Sequence, residues 1–192
     1  MSLSEPFDVT LRLAAVFVEL EVEYLVGGSV ASSVHGVPRA TNDVDLVARL
    51  AGRHVDAFVA ALRGDFYVDA DMIHDAIRRR ASFNVVHLAT MLKADVFVFD
   101  GSAQAQAELS RKQAIEVVVG EPAVWFSSPE DIVLQKLAWY RKGNEVSERQ
   151  WTDVLGVLQV SGPRLDLAYL NHWAAQLGLT SLLERAWAMT KA

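Results

Sequence analysis

The sequence predicts an α/β (α+β) fold: a sheet with flanking helices over residues 1–127, then a helical region over 128–192 packed on that core. Three observations predict it. Short apolar runs rich in β-branched and aromatic residues alternate with helical periodicities as far as Phe126. From Ser128 onward only helical periodicities remain. The chain has 192 residues, of which 52% are hydrophobic, enough to bury a sizeable core.

Phe7 to Leu20 spaces Val9, Leu11, Leu13, Val16, Phe17 and Leu20 as an amphipathic helix does. Glu23 to Val26 reads as a short strand. Gly27-Gly28 breaks it, and Ser29 is placed to cap a helix from about Val30 to His35, which Gly36 and Pro38 end. In DVDLV, Asp43, Asp45 and Val47 share one face of a strand, and Val44 and Leu46 the other. His54 to Leu62 and Asp71 to Arg80 read as helices. Phe83 to Leu88 and Leu92 to Phe99 read as strands, and Ser102 to Arg111 as a helix. Ile115 to Val119 and Ala123 to Phe126 read as short strands around a turn at Gly120 to Pro122. The helical half begins at Ser128-Pro129-Glu130-Asp131, which offers a cap, a proline at the first position and acids in the first turn. Ser147 to Val160, Leu167 to Leu177 and Ser181 to Met189 continue it. There is no internal repeat.

Composition excludes several classes of function. Without cysteine there is no disulfide, thiolate zinc site or cysteine nucleophile. A formal net charge of −6 argues against a broad basic face that coats nucleic acid, while leaving room for a local basic pocket. MSLSEPFDVT lacks the basic start and apolar run of a secretory leader. No apolar run reaches the ~18 residues of a spanning helix. A soluble cytoplasmic protein with no membrane partner is expected.

Three features carry chemistry. Gly27-Gly28-Ser29 lies between a strand and a helix, where glycine lets backbone approach a ligand and the helix start offers unpaired N–H groups to phosphate. A plain turn is the alternative. Asp43 and Asp45 project from one strand face as hard oxygen ligands able to bridge two Mg²⁺ ions, an arrangement suited to in-line phosphoryl or nucleotidyl displacement. A solvated strand end is the alternative. Asp95 lies inside the apolar strand LKADVFVF and needs an ion pair, hydrogen bonds or a metal.

In this order, Gly28-Ser29, Asp43-x-Asp45 and Asp95 resemble the nucleotidyltransferase superfamily with the DNA polymerase β-like fold. The resemblance implies a minimal mixed sheet with flanking helices. GGSVASSVHG is similar to the opening of the tRNA nucleotidyltransferase and poly(A) polymerase branch, with Ala31-Ser32 where that branch has Arg-Asp. A closer resemblance is to small prokaryotic nucleotidyltransferases similar to abortive-infection and toxin–antitoxin toxins. Their helical half carries a Lys, an Arg, and an Arg with an Asp four residues on, an order that Lys136, Arg141, Arg149 and Asp153 follow.

This resemblance implies a Mg²⁺-dependent transfer of a nucleoside monophosphate from an NTP to an acceptor, with two metal ions. Asp43 and Asp45 would hold both ions, and Asp95 the catalytic one. Gly27, Gly28 and Ser29 would hold the phosphates of the nucleotide, with Lys136 and Arg39 as further nucleotide contacts. An RNA end, a protein hydroxyl or a small molecule would accept, and an antitoxin would be a partner. The rivals are a catalytically degenerate module that binds nucleotide or a partner, and a structural domain with ion-paired acids.

The remaining charged and aromatic residues have plainer readings. Arg39 either touches phosphate or pairs with Asp43, and Lys93 shares a face with Asp95 and can neutralise it. Arg149 and Asp153 are spaced as a surface ion pair or as site residues. Arg78-Arg79-Arg80 reads as a solvated helix end, with an RNA contact as the alternative. His35, His54, His74, His87 and His172 lack metal-ligand spacing. Trp139, Trp151, Trp173 and Trp187 read as packing residues.

Overall fold

A computed structural model describes residues 5–190. The first four residues, part of the stretch read for a leader, and the last two of the helical half lie outside the described residues. The chain divides into two compact units. One comprises the residues up to Val30 together with Thr41–Phe126, and the other Ala31–Ala40 with the residues from Ser127 on. The second half of the first glycine-turn helix therefore belongs with the helical unit.

The first unit contains α1 (Glu5–Glu19), β1 (Tyr24–Val26), the start of α2 (Gly28–His35), β2 (Asp43–Ala48), α3 (Val55–Leu62), β3 (Phe66–Tyr67), α4 (Ala70–Arg79), β4 (Ser82–His87), β5 (Lys93–Val98), α5 (Ala103–Ser110), β6 (Gln113–Ile115) and β7 (Val124–Phe126). The strands form one mixed sheet in the order β3-β4-β5-β2-β1-β7-β6. The pairs β2–β5 and β1–β7 are parallel and the others antiparallel.

Strand alternation separates two faces. Val44, Leu46 and Ala48 of β2, Ala94, Val96 and Val98 of β5, and Phe83 and Val85 of β4 are all buried. Burying a large apolar side chain contributes ~1.5–3 kcal/mol, so this face drives assembly. Phe17 of α1 stacks on Phe58 of α3 at 5.3 Å, and Phe58 meets Phe83 of β4 edge-on at 6.0 Å. The other face, carrying Asp43, Asp45, Lys93, Asp95 and Asn84, stays partly or fully exposed.

Three details differ from the sequence reading. Helix α2 begins at Gly28, so Ser29 sits in its first turn instead of before it. The edge strand β6 covers Gln113–Ile115. Val117, Val118 and Val119 are β-branched but lie beyond the ladder, in a turn closed by Glu121 N–H to Val118 O. Strand β3, only two residues long, was not expected.

The second unit holds α6 (Pro129–Lys142), α7 (Glu148–Ser161), α8 (Leu167–Gln176) and α9 (Thr180–Thr190), together with the C-terminal part of α2. Ser128 caps α6 by accepting from Asp131 N–H at 3.2 Å. Its own hydroxyl donates to Asp131 Oδ2, and Tyr169 O–H donates to Asp131 Oδ1, both at 2.6 Å. Arg141 Nη1 donates to Leu177 O and Gly178 O just past the end of α8, where a cation offsets the partial negative charge. At Gly36 the chain passes so close to α7 that a Cβ would lie 2.7 Å from Val157 N.

His35, at the end of α2, is buried and joins this unit at two points. Its Nε2–H donates to Ser127 O at 2.8 Å, and its own carbonyl accepts from Ser161 O–H at 2.7 Å. Burial pushes its pKa below the usual histidine value; the Ser127 carbonyl only partly offsets this. The unfolded chain therefore takes up a proton at His35 near pH ~6.5, while the native chain waits for a lower pH. Stability falls as pH drops below ~6.5 and levels off beneath the lowered value, with a slope of at most ~1.4 kcal/mol per pH unit. Urea titrations between pH 7.5 and 5.5 should show this slope, and His35→Gln should flatten it.

Candidate active site

The carboxylates come together through strand register. Parallel pairing of β2 with β5 sets Asp45 opposite Asp95 and Asp43 opposite Lys93. Antiparallel pairing of β4 with β5 sets Asn84 opposite Asp95. One row across the sheet therefore reads Asp45, Asp95, Asn84, all on the face away from the buried core. Asn84 was missed from the sequence, although the alternation in FNVVHL places it on a single face.

The glycine turn closes on the same spot. Gly27 N–H donates to Asp45 O at 2.9 Å, which extends the β1–β2 pairing by one bond. Gly28 then takes φ +56°, the left-handed region that favours glycine, and opens α2. A Cβ there would lie 1.8 Å from Asp45 Oδ2. Bare backbone thus allows the Asp45 carboxylate to lie against the first turn of a helix, where Ser29 also sits.

Lys93 and Asp95 form an ion pair, Nζ to Oδ2 at 2.9 Å, with side-chain exposures of 45% and 21%. The hydrogen bond to Asp95 is the main cause that raises the Lys93 pKa, and the charges of Asp95, Asp43 and Asp45 add to it. The sequence reading that Lys93 neutralises Asp95 holds for these side chains.

A divalent cation would meet hard carboxylate oxygens here, in register on two neighbouring strands. The donor chemistry suits such an ion, and Gly28 leaves space for the Asp45 carboxylate that would serve as one donor. Among the described residues, no group of three or more His, Asp or Glu side chains is gathered to hold a metal. Asp95 is engaged by Lys93 instead.

The other expected nucleotide contacts lie in the second unit. Arg39 grips Asp153 of α7 through Nε to Oδ1 at 2.6 Å and Nη2 to Oδ2 at 2.8 Å. Lys136 of α6 reaches Asp153 Oδ2 at 2.8 Å. Asp153 and Lys136 are almost fully buried, and Arg39 is about one quarter exposed. Burial pushes the Asp153 carboxyl up, but the Arg39 and Lys136 donors outweigh it and hold the pKa below the usual value. Asp153 thus faces inward to Arg39 and Lys136, not outward to Arg149, and Arg39 pairs with Asp153 in place of the expected Asp43. Arg78 and Arg79 pair with Asp75, as a solvated helix end does.

No family model matches the chain, and no curated protein matches it. Among solved structures, the chain is similar to an antigenic nucleotidyltransferase-like protein from Paracoccidioides brasiliensis, at 18% identity and TM-score 0.58, covering 94% of this chain and 93% of that one. It is also similar to the antibiotic-resistance factor ANT(2'')-Ia in solution, at 18% identity and TM-score 0.57, covering 100% and 97%. The crystal structure of ANT(2'')-Ia in complex with adenylyl-2''-tobramycin gives TM-score 0.59 at 16% identity, covering 91% and 97%. The mixed sheet with its helices is thus the nucleotidyltransferase fold, as the resemblance implied. Among the described residues, no helix is long and apolar enough to cross a membrane.

Proposed function

We propose that this protein is a metal-dependent nucleotidyltransferase that moves a nucleoside monophosphate from an NTP to a hydroxyl acceptor. The observation that carries the proposal is the row Asp45–Asp95 beside Asp43, set against the bare backbone of Gly28 where α2 begins.

Each residue has a role that its chemistry supports. Gly27, Gly28 and Ser29 present backbone N–H groups and a hydroxyl to the phosphates, and the positive end of α2 favours that charge. Asp43 and Asp45 would hold two Mg²⁺ ions, with Asp95 as a further ligand. When bound, the ions would supply charge neutralisation at the α-phosphate and activation of the acceptor hydroxyl. Asp43, Asp45 and Asp95 fix the geometry in which the acceptor oxygen attacks the α-phosphorus in line. The bond to pyrophosphate breaks, and the acceptor proton leaves toward a carboxylate. Such transfers depend mainly on positioning and electrostatics. Lys136 and Arg39 are proposed as nucleotide contacts on their charge, two cations sharing the single carboxylate of Asp153.

A small-molecule hydroxyl is the acceptor class with support from a protein of this fold, ANT(2'')-Ia with its adenylyl-2''-tobramycin. RNA ends, protein hydroxyls, an antitoxin partner and a cytoplasmic setting remain proposals from the toxin-like resemblance. The degenerate-module reading draws on the Lys93–Asp95 ion pair, which engages the third carboxylate.

The test is transfer of label from each α-³²P NTP with Mg²⁺ to a panel of aminoglycosides, total tRNA and lysate protein. Labelled product with one nucleotide and one acceptor class supports the proposal. Nucleotide binding without product on any acceptor favours the degenerate module.

A further inference from the structure

We infer that Lys93 is a positioning residue that guards the metal site: its ammonium holds Asp95 until a divalent cation displaces it. This inference rests on the proposed metal-dependent reading of the same carboxylates.

The geometry is specific. Lys93 and Asp95 are two residues apart on β5, so both side chains leave the same sheet face, and Nζ sits 2.9 Å from Asp95 Oδ2. The Lys93 Cα is the ladder partner of Asp43, and the Asp95 Cα that of Asp45. On this sheet face Lys93 is therefore the neighbour of Asp95 along β5 and of Asp43 across the strands, and its ammonium is bonded to Asp95. No other Lys or Arg lies on β2, β4 or β5 facing this side.

The physical need is also clear. Three like charges on adjacent positions of two strands repel one another, and a cation on the same face offsets that repulsion when no metal is present. A divalent ion arriving at Asp95 meets an oxygen already bonded and a positive charge nearby. Lys93 then has to swing away, which its long, half-exposed side chain permits. The third carboxylate is thereby kept in the site but out of the metal's reach at low metal concentration. In this account Lys93 sets how much divalent ion the site requires, and Asp95 joins the ligands last.

The experiment is Mn²⁺ binding, followed by calorimetry and by electron paramagnetic resonance, on wild type, Lys93→Met, Lys93→Arg and Asp43→Asn/Asp45→Asn. Circular dichroism checks that each variant is folded. Lys93→Met should bind Mn²⁺ about tenfold more tightly or better, as expected when a positive charge beside a bound cation is removed. Lys93→Arg keeps the charge and should stay near wild type. Asp43→Asn/Asp45→Asn should lose binding. Unchanged or weaker binding by folded Lys93→Met, with binding still lost in the Asp43/Asp45 variant, would overturn the role of Lys93 and leave the metal site standing. No Mn²⁺ binding by wild type and Lys93→Met alike would overturn the metal site itself, and the inference with it.

Discussion

Asp153→Ala should destabilise the protein by about 3–5 kcal/mol, the cost of removing one partner from a buried ion pair. Asp153 receives both Arg39 and Lys136, and the Lys136 side chain is only 5% exposed. Truncation removes the Asp153 carboxylate from that buried ammonium. It also frees the segment carrying Arg39, which Asp153 ties to α7 by two hydrogen bonds. Denaturant unfolding at neutral pH measures the loss. If Lys136 is first changed to Met, the further cost of Asp153→Ala should shrink, because the Lys136–Asp153 pair is already gone. A loss below ~1 kcal/mol from the single change would mean that the cluster is solvated and contributes like a surface pair.

Asp45→Asn should reduce nucleotidyl transfer by at least about a hundredfold, the range seen when one preorganised electrostatic group is removed from a reacting centre. The change keeps the size and shape of the side chain. Asp45 is half-buried and lies outside the apolar face of β2, so folding should survive with a change within ~1 kcal/mol. Activity and stability thus separate at this residue, whereas at Asp153 they fall together. The labelled-transfer assay with the best acceptor reads the first quantity, and thermal unfolding reads the second. Transfer at wild-type rate in folded Asp45→Asn would remove Asp45 from the reaction.

The placement of the candidate site residues was legible in the sequence where their geometry is local. Asp43-x-Asp45 and Lys93-x-Asp95 share faces because strands alternate, and a spacing of two residues states this directly. The glycine turn was legible because Gly27-Gly28 interrupts an apolar run, though the onset of α2 at Gly28 was not. Contacts made by distant segments were not legible. Arg39 and Asp153 are 114 positions apart, and nothing local ties them together. Local charge patterning instead suggested Arg149 for Asp153 and Asp43 for Arg39. The division within α2 was also hidden, since a helical periodicity does not say which unit each end joins. Strand β3 has two residues, too few for any alternation, and the β-branched residues Val117, Val118 and Val119 have propensity without a ladder partner.

The most direct test of the central claim is melting temperature with Mg²⁺ and each of ATP, CTP, GTP and UTP, for wild type and for Asp43→Asn/Asp45→Asn. Ligand at a hundred times its dissociation constant adds about 2.7 kcal/mol, a rise of roughly 5–10 °C for a chain of this size. The account predicts such a rise for wild type with at least one nucleotide, dependent on Mg²⁺ and lost in the double variant. A rise that persists in the folded double variant, or no rise with any nucleotide at millimolar concentration, would contradict it.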